Sequence, residues 1–261
     1  NGFGVFMGVQ VLVATMNQND HSLIKKMNIK SDAIVGNQAD FNLVERFKYK
    51  DNDITYLNFD EKGVGLNRNN SLMRATGDFC LFADDDMIYV DDYVTIVENA
   101  FKKIPNADVI VFNLVEQNPR RYIINKKIKV NYFNYLRYGT ARVAIKLKSI
   151  RENGIYFNQC FGGGTEHCHG EDNLFLTDCL KKRLKIYAVP EFIATLTEER
   201  ESTWENVDIE KYLRDQGFLY KKISKKYWKL LCIQDVIRRK YKMPLRKAFK
   251  LMIDGGKDIV I

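Results

Sequence analysis

Apolar positions along the first half of the chain switch repeatedly between a strand-like run and a helix-like stripe. Residues 9–15 (VQVLVAT) form a short apolar run rich in β-branched side chains, which predicts a buried strand. Asp20 is placed to cap a helix carrying Leu23, Ile24 and Met27. Residues 33–36 and 54–57 read as two more buried strands, the first ending in the polar loop 37–40. A turn at 62–65 (KGVG) precedes a helix over about 66–75, stopped by Gly77. Residues 79–83 predict a fourth strand. Tyr93, Val97, Ala100, Phe101 and Ile104 make a helical stripe closed by Pro105, and 108–114 (DVIVFNL) returns to a strand. This rhythm predicts an α/β fold with a largely parallel sheet.

The second half is more mixed. Residues 142–147 and 185–189 read as strands, 149–153 as a short helix ended by Gly154, and 171–184 as a longer helix. Between them lies the polar, glycine-rich stretch 161–172 (FGGGTEHCHGED).

Composition narrows the class without naming a function. At 261 residues, 46% hydrophobic and 28% charged, the chain is ordinary globular material of one large or two small domains. No run approaches the ~18 apolar residues of a membrane span. The apolar start lacks a basic flank and a small-residue cleavage site, so no signal peptide is expected. Five scattered cysteines without a CxxC pair predict reduced thiols and a cytosolic protein. The net charge of +8 is uneven, since residues 221–250 carry +11 and the remainder −3. The basic character therefore belongs to a C-terminal segment.

Candidate chemistry begins at Asp84, Asp85 and Asp86, which follow directly on a buried strand. Ligands of open α/β sheets bind at the C-terminal strand edge. Adjacent carboxylates repel one another, and a divalent cation relieves that repulsion. Oxygen donors suit Mg²⁺ or Mn²⁺, and alternate residues of an extended segment face the same way, so Asp84 and Asp86 are the candidate metal pair. Taken alone, the cluster is equally a solvated acidic cap. Glu171 and Asp172, after Gly170, open a helix, where acids suit the helix dipole or present a general base beside a mobile loop. His167, Cys168, His169, Cys160 and Glu166 raise zinc as an alternative, but their spacing fits no common zinc pattern. Arg68, after a glycine turn, is placed to grip a phosphate or a base edge. Gly63 and Gly65 make no P-loop, because no Gly-Lys-Ser/Thr ending follows.

In this order the motifs resemble family 2 glycosyltransferases of the GT-A fold, which use nucleotide-sugar donors. The resemblance runs over about 9–189. Residues 14–17 (ATMN) look like the opening strand and nucleotide loop, with Thr15 and Asn17 as nucleotide contacts. Residues 62–69 (KGVGLNRN) look like the Gly-rich stretch ending in Arg-Asn, here Arg68 and Asn69. Residues 75–86 (ATGDFCLFADDD) look like the approach to the Asp-x-Asp metal motif, so Asp84 and Asp85 would lie at the donor and Asp84 and Asp86 on Mn²⁺ or Mg²⁺. Glu171-Asp172 looks like the acceptor-side motif, with Asp172 as catalytic base. The usual Asp-Asp-Gly-Ser-like motif after the second strand is missing, leaving Asn37 or Asp40 to contact the base.

The resemblance implies inverting transfer of one sugar, from a UDP-sugar by expectation, to a saccharide hydroxyl. A lipid-linked acceptor in surface or capsular polysaccharide synthesis is the expected setting. No Gln-x-x-Arg-Trp motif follows Asp172, which argues against a processive polymerase. Thr195, Thr197 and Glu198 stand where a metal-side His is often found, and 200–204 is a candidate loop over the diphosphate. The expected organisation is a GT-A domain over 7–205 and a basic amphipathic extension over 206–261. In that extension Ile223, Tyr227, Leu230, Leu231, Gln234 and Ile237 follow one stripe, with lysines interleaved and Trp228 suited to an interface. Such a helix reads as a contact with an anionic membrane surface, placing the enzyme in the cytoplasm at the inner face of the cell membrane. No nucleic-acid motif accompanies the charge. The rival readings are a metal-dependent nucleotidyltransferase or phosphohydrolase, and a non-catalytic membrane- or nucleic-acid-binding module.

Overall fold

The computed structural model describes residues 8–118, 121–197 and 208–257. The chain runs β1 (Val9–Met16), α1 (Ser22–Lys26), β2 (Asp32–Ala39), β3 (Leu43–Tyr49), β4 (Asn52–Asp60), α2 (Val64–Arg74), β5 (Phe79–Asp84), β6 (Met87–Tyr89) and α3 (Tyr93–Lys103). It continues through β7 (Val109–Val115), β8 (Ile128–Val130), β9 (Val143–Lys146), α4 (Leu147–Glu152), α5 (Glu171–Lys181) and β10 (Ile186–Leu196). Three helices close the described chain: α6 (Ile209–Ile223), α7 (Trp228–Arg239) and α8 (Leu245–Lys257).

One sheet organises these elements, in the order β3-β4-β2-β1-β5-β9-β7-β10-β6, with β8 also on β10. Strand alternation divides its side chains between two cores. Leu12, Cys80, Phe82, Val109 and Val111 face one cluster, with α2, α4 and α5. Val11, Val13, Leu81, Ile110 and Phe112 face the other, with α1 and α3. Strands buried on both faces explain why the apolar runs were nearly continuous rather than alternating.

Three sequence expectations are corrected. The α/β fold stands, but the sheet is mixed: β1, β2, β4 and β5 pair parallel, as do β7 and β10, while β3, β6, β8 and β9 join by antiparallel pairing. β3 (LVERFKY) was missed because it is a half-exposed strand on the sheet edge, too polar to stand out. β10 runs on past Pro190 to Leu196, with a register shift between Ala188 and Phe192 that accommodates the missing proline donor.

The C-terminal helices do not stand apart from the α/β layer. Leu213, Leu219, Tyr220, Trp228, Cys232 and Met252 belong to the same apolar cluster as Phe161, Leu174 and Phe175. The stripe read across 223–237 is also broken, since α6 ends at Ile223 and α7 begins at Trp228. Trp228 is buried and not available to an outside interface. Glu198 and the candidate loop 200–204 lie outside the described residues. Among the described residues, no helix is long and apolar enough to cross a membrane.

Candidate active site

β1 and β5 lie side by side and parallel, with Ala14 opposite Asp84 at their C-terminal ends. That register brings the loop after β1 against the acidic cluster after β5. Thr15 Oγ1 donates to Asp85 Oδ2 at 2.5 Å, and Gln18 Nε2 donates to Thr15 Oγ1 at 2.9 Å. The backbone carbonyl of Asp86 accepts from Thr197 N at 2.8 Å, so the end of β10 holds the acidic turn in place. The side chain of Asp86 is only partly satisfied. Its Oδ1 is buried without a hydrogen-bond partner among the described residues. Burial, then Asp84 and Asp85, push its pKa up to about 6.

Arg68 lies in α2 with its side chain only 6% exposed, and it joins the acidic turn to the start of α5. Nη2 donates to Asp84 Oδ1 at 2.7 Å, while Nη1 donates to Glu171 Oε1 at 3.1 Å and to Asp172 Oδ1 at 3.2 Å. Burial opposes the guanidinium charge, and Asp84, Asp172 and Glu171 together outweigh it, raising its pKa. The expectation that Arg68 grips a phosphate or base edge is therefore corrected. Nη1 and Nη2 donate to carboxylates, Nε is buried without a hydrogen-bond partner among the described residues, and the place of Arg68 is to order the acids. The signal that could have shown this is charge balance, since a buried arginine needs buried acids.

Gly170 turns the chain into α5 with φ +112°, a conformation L side chains rarely adopt. The first helical turn then presents Glu171, buried on Arg68, and Asp172, whose side chain keeps 30% of its exposure. Burial first, then Glu171, hold the Asp172 pKa well above the ordinary carboxylate range, against the pull of Arg68. A cleft of about 210 Å³ opens beside it, lined by Arg137, Tyr138, Gly139, His169 and Asn173 among others.

The nucleotide candidates separate. Thr15 and Asn17 lie at the β1 edge, Asn17 exposed and in a left-handed turn at φ +56°. Asn37 is fully buried, donating to Gln18 O at 3.0 Å and Asn58 Oδ1 at 2.8 Å, and accepting from Gln18 N at 3.0 Å. It braces the loop after β1 and has no surface to offer a base, which corrects that expectation. Asp40 is exposed just beyond β2. Gln38, which belongs to no sequence motif, ties this edge to the Gly-rich turn by accepting from Gly63 N at 2.8 Å.

The His-Cys-His stretch has another partner than zinc. His167 Nδ1 lies 3.0 Å from Asp215 Oδ1, Cys168 N donates to Asp215 Oδ2 at 3.0 Å, and His169 Nε2 lies 2.6 Å from Gln216 Oε1. The His167 ring stacks on Phe218 and the His169 ring on Tyr212. Hydrogen bonds from His167, Lys211 and the Cys168 N–H overcome burial and hold Asp215 below the usual carboxylate range. The loop before α5 is thus clamped by α6, a contact between residues 47 or 48 positions apart that no local motif announces.

Asp84 and Asp86 offer only oxygen donors, the chemistry that suits Mg²⁺ or Mn²⁺. The unsatisfied Asp86 oxygen is the kind of atom a cation would satisfy. Among the described residues no group of three or more His, Cys, Asp or Glu side chains is arranged to hold a metal. An ion on these two carboxylates would therefore take further ligands from diphosphate and water.

Residues 41–160 match the family model "Glycosyl transferase family 2". No curated protein matches the chain. Its structure is similar to that of S. aureus TarS 1–349 in complex with UDP-GlcNAc, with TM-score 0.64 and 15% identity over 95% of this chain and 76% of that one. The same segment in complex with UDP gives TM-score 0.63 and 15% identity over 95% and 81% of the two chains. For the longer S. aureus TarS structure the values are 0.62, 14%, 96% and 54%, so this chain spans about half of that protein.

Proposed function

We infer that this chain is a family 2 glycosyltransferase of GT-A fold that moves one sugar from a nucleotide-diphosphate donor to a saccharide hydroxyl, with inversion at the anomeric carbon. The family match over 41–160 supports the enzyme class. The observation that carries the site assignment is Arg68, which spans from Asp84 to Asp172 and so joins an oxygen-donor cluster to a basic carboxylate. Asp84 and Asp86 hold Mn²⁺ or Mg²⁺ in this reading, with Asp85 and Thr15 ordering the same turn. Bound there, a divalent ion would supply positive charge for the leaving diphosphate.

Asp172 accepts the proton of the acceptor hydroxyl as the donor bond breaks. Its raised pKa suits that task, because a stronger base takes the proton more readily near neutral pH. Arg68 keeps the carboxylate oriented and Glu171 tunes it. The cleft bounded by Arg137, Gly139 and Asn173 receives the acceptor. That the similar TarS structures hold UDP and UDP-GlcNAc supports a uridine donor. Asn17 and Asp40 are the exposed candidates near the base. The acceptor in this reading is a lipid-linked saccharide of a surface polysaccharide, met at the inner face of the cell membrane.

The test is a calorimetric screen of UDP-, GDP- and dTDP-sugars with and without Mn²⁺, followed by analysis of products. Tight, Mn²⁺-dependent binding of one UDP-sugar, with release of UDP on turnover, supports the reading. Release of pyrophosphate or phosphate would instead make the protein a nucleotidyltransferase or a phosphohydrolase.

A further inference from the structure

Helix α7 packs on one side only. Trp228, Cys232 and Val236 face the core, and the Trp228 ring lies so near Gly256 of α8 that a Cβ there would come within 2.3 Å of it. The other side carries Leu230 and Ile237, each 61% exposed, with Ile233 at 42% and Tyr227 at 52% just before the helix. Leu230, Ile233 and Ile237 are three and four residues apart, so they form one ridge along the helix.

Charge surrounds that ridge. Lys225, Lys226, Lys229 and Arg238 are all exposed. The one acid of residues 221–250, Asp235, is buried and paired with Arg239 Nε at 2.7 Å, so it faces away from the ridge. An apolar ridge flanked by cations and free of surface acids is the pattern of a helix that lies in a bilayer interface.

We propose that this outward face of α7 seats on an anionic lipid bilayer. Tyr227, Leu230, Ile233 and Ile237 enter the boundary between headgroups and acyl chains, and the flanking lysines reach the lipid phosphates with their stems along the apolar layer. A second copy of the chain on this face would bring two strongly basic surfaces together, which like charge opposes. A nucleic acid would engage the lysines and leave the apolar ridge in water. Only an anionic apolar layer complements both features. The membrane half of the proposed function rests on this face; sugar transfer does not.

The full chain is sedimented with phosphatidylcholine vesicles and with vesicles of equal parts phosphatidylcholine and phosphatidylglycerol. Binding is expected to the second kind alone and to weaken with salt, since exposed charges are screened over ~8 Å at physiological ionic strength. Replacing Leu230→Ser with Ile237→Ser should lower vesicle affinity ~10-fold or more, because two exposed aliphatic side chains no longer leave water. A second variant, Lys225→Gln, Lys226→Gln and Lys229→Gln, should lose the preference for phosphatidylglycerol. Melting curves of both variants should stay close to wild type, as every replaced side chain is exposed and the lysine variant gives up only the contacts of Lys226 and Lys229 with the Tyr227 and Trp228 rings. Binding of UDP should also be unchanged, which separates failure here from failure of the transferase assignment. Absent vesicle binding by the wild type would overturn the proposal, as would a serine pair that binds vesicles like wild type. So would a dimer in sedimentation velocity that the serine pair dissolves, or duplex DNA binding that it leaves intact while vesicles are ignored.

Discussion

Arg68 Nη2 donates to Asp84 Oδ1 at 2.7 Å, and this contact joins α2 to the acidic end of β5. The same guanidinium reaches Asp172 on α5 at 3.2 Å. Carboxylates at the end of β5 and at the start of α5 thereby share one buried cation. Removing it would leave mutually repelling acids with no counter-charge.

Arg68→Met should lower stability by about 3 kcal/mol near neutral pH, the usual scale for breaking a buried pair from one side. The loss should shrink as pH falls. Without Arg68, Asp172 has a folded-state pKa still further above its unfolded value, so the fold is disfavoured where the acid must ionise and recovers where it is protonated. Denaturant unfolding at about pH 5 and about pH 8 reads this difference. An equal loss at both would show that Arg68 acts by packing alone.

Asp172→Asn should keep donor binding and lose transfer by ~10²-fold or more, because the amide matches the carboxylate in size but accepts no proton. In the wild type, burial and Glu171 hold the proton on Asp172 more tightly than usual. The base works only once deprotonated, so kcat/KM should rise with pH through a limb above the ordinary carboxylate range. A pH profile of the wild type checks the limb, and residual turnover of the variant should lack it. Wild-type turnover by the variant would place the base elsewhere, with Glu171 and Glu166 next.

Asp86→Ala should abolish the Mn²⁺-dependent part of UDP binding. The fold should survive without metal, since the Asp86 backbone carbonyl, not its side chain, accepts from Thr197. The deleted carboxylate has one buried, unsatisfied oxygen and a raised pKa, so the metal-free variant should be at least as stable as wild type at about pH 8. Titrating UDP with and without Mn²⁺ into both proteins measures the first point, and a melting curve the second. Equal UDP affinity with Mn²⁺ would remove Asp86 from the site.

Gly217→Ala should destabilise, against the rule that alanine improves a helix interior by ~1 kcal/mol. A Cβ at this position in α6 would lie 1.8 Å from the Met252 carbonyl oxygen of α8. The helices must separate, at a cost of ~1–3 kcal/mol. A drop of ~2–4 °C in melting midpoint per kcal/mol is expected for a chain of about this size. A raised midpoint would show that the two helices do not need this close approach.

What the sequence could determine by itself was local. Apolar runs too continuous to alternate marked the doubly buried strands β1, β5 and β7, because parallel-sheet burial writes itself into consecutive residues. Three successive carboxylates at a strand end, and an acidic pair after Gly170, marked the two ends of the candidate site, because charge that dense is conspicuous without any partner in view. What depended on tertiary structure was every role set by a distant neighbour. Arg68 reads as a contact for a phosphate or a base edge until Glu171 and Asp172 arrive from more than a hundred positions away. Asn37 reads as a ligand contact until Gln18 and Asn58 close around it. The two histidines of the 161–172 stretch fit no zinc pattern and read only as polar groups until α6 brings Asp215 and Gln216 to them. The basic tail shows the same division: its charge was countable in the sequence, but which face of α7 stays in water was settled by where Trp228 packs. A side chain's hydrogen bonds and burial are set by whatever the fold carries to it, and in these four places the fold carries it from another element.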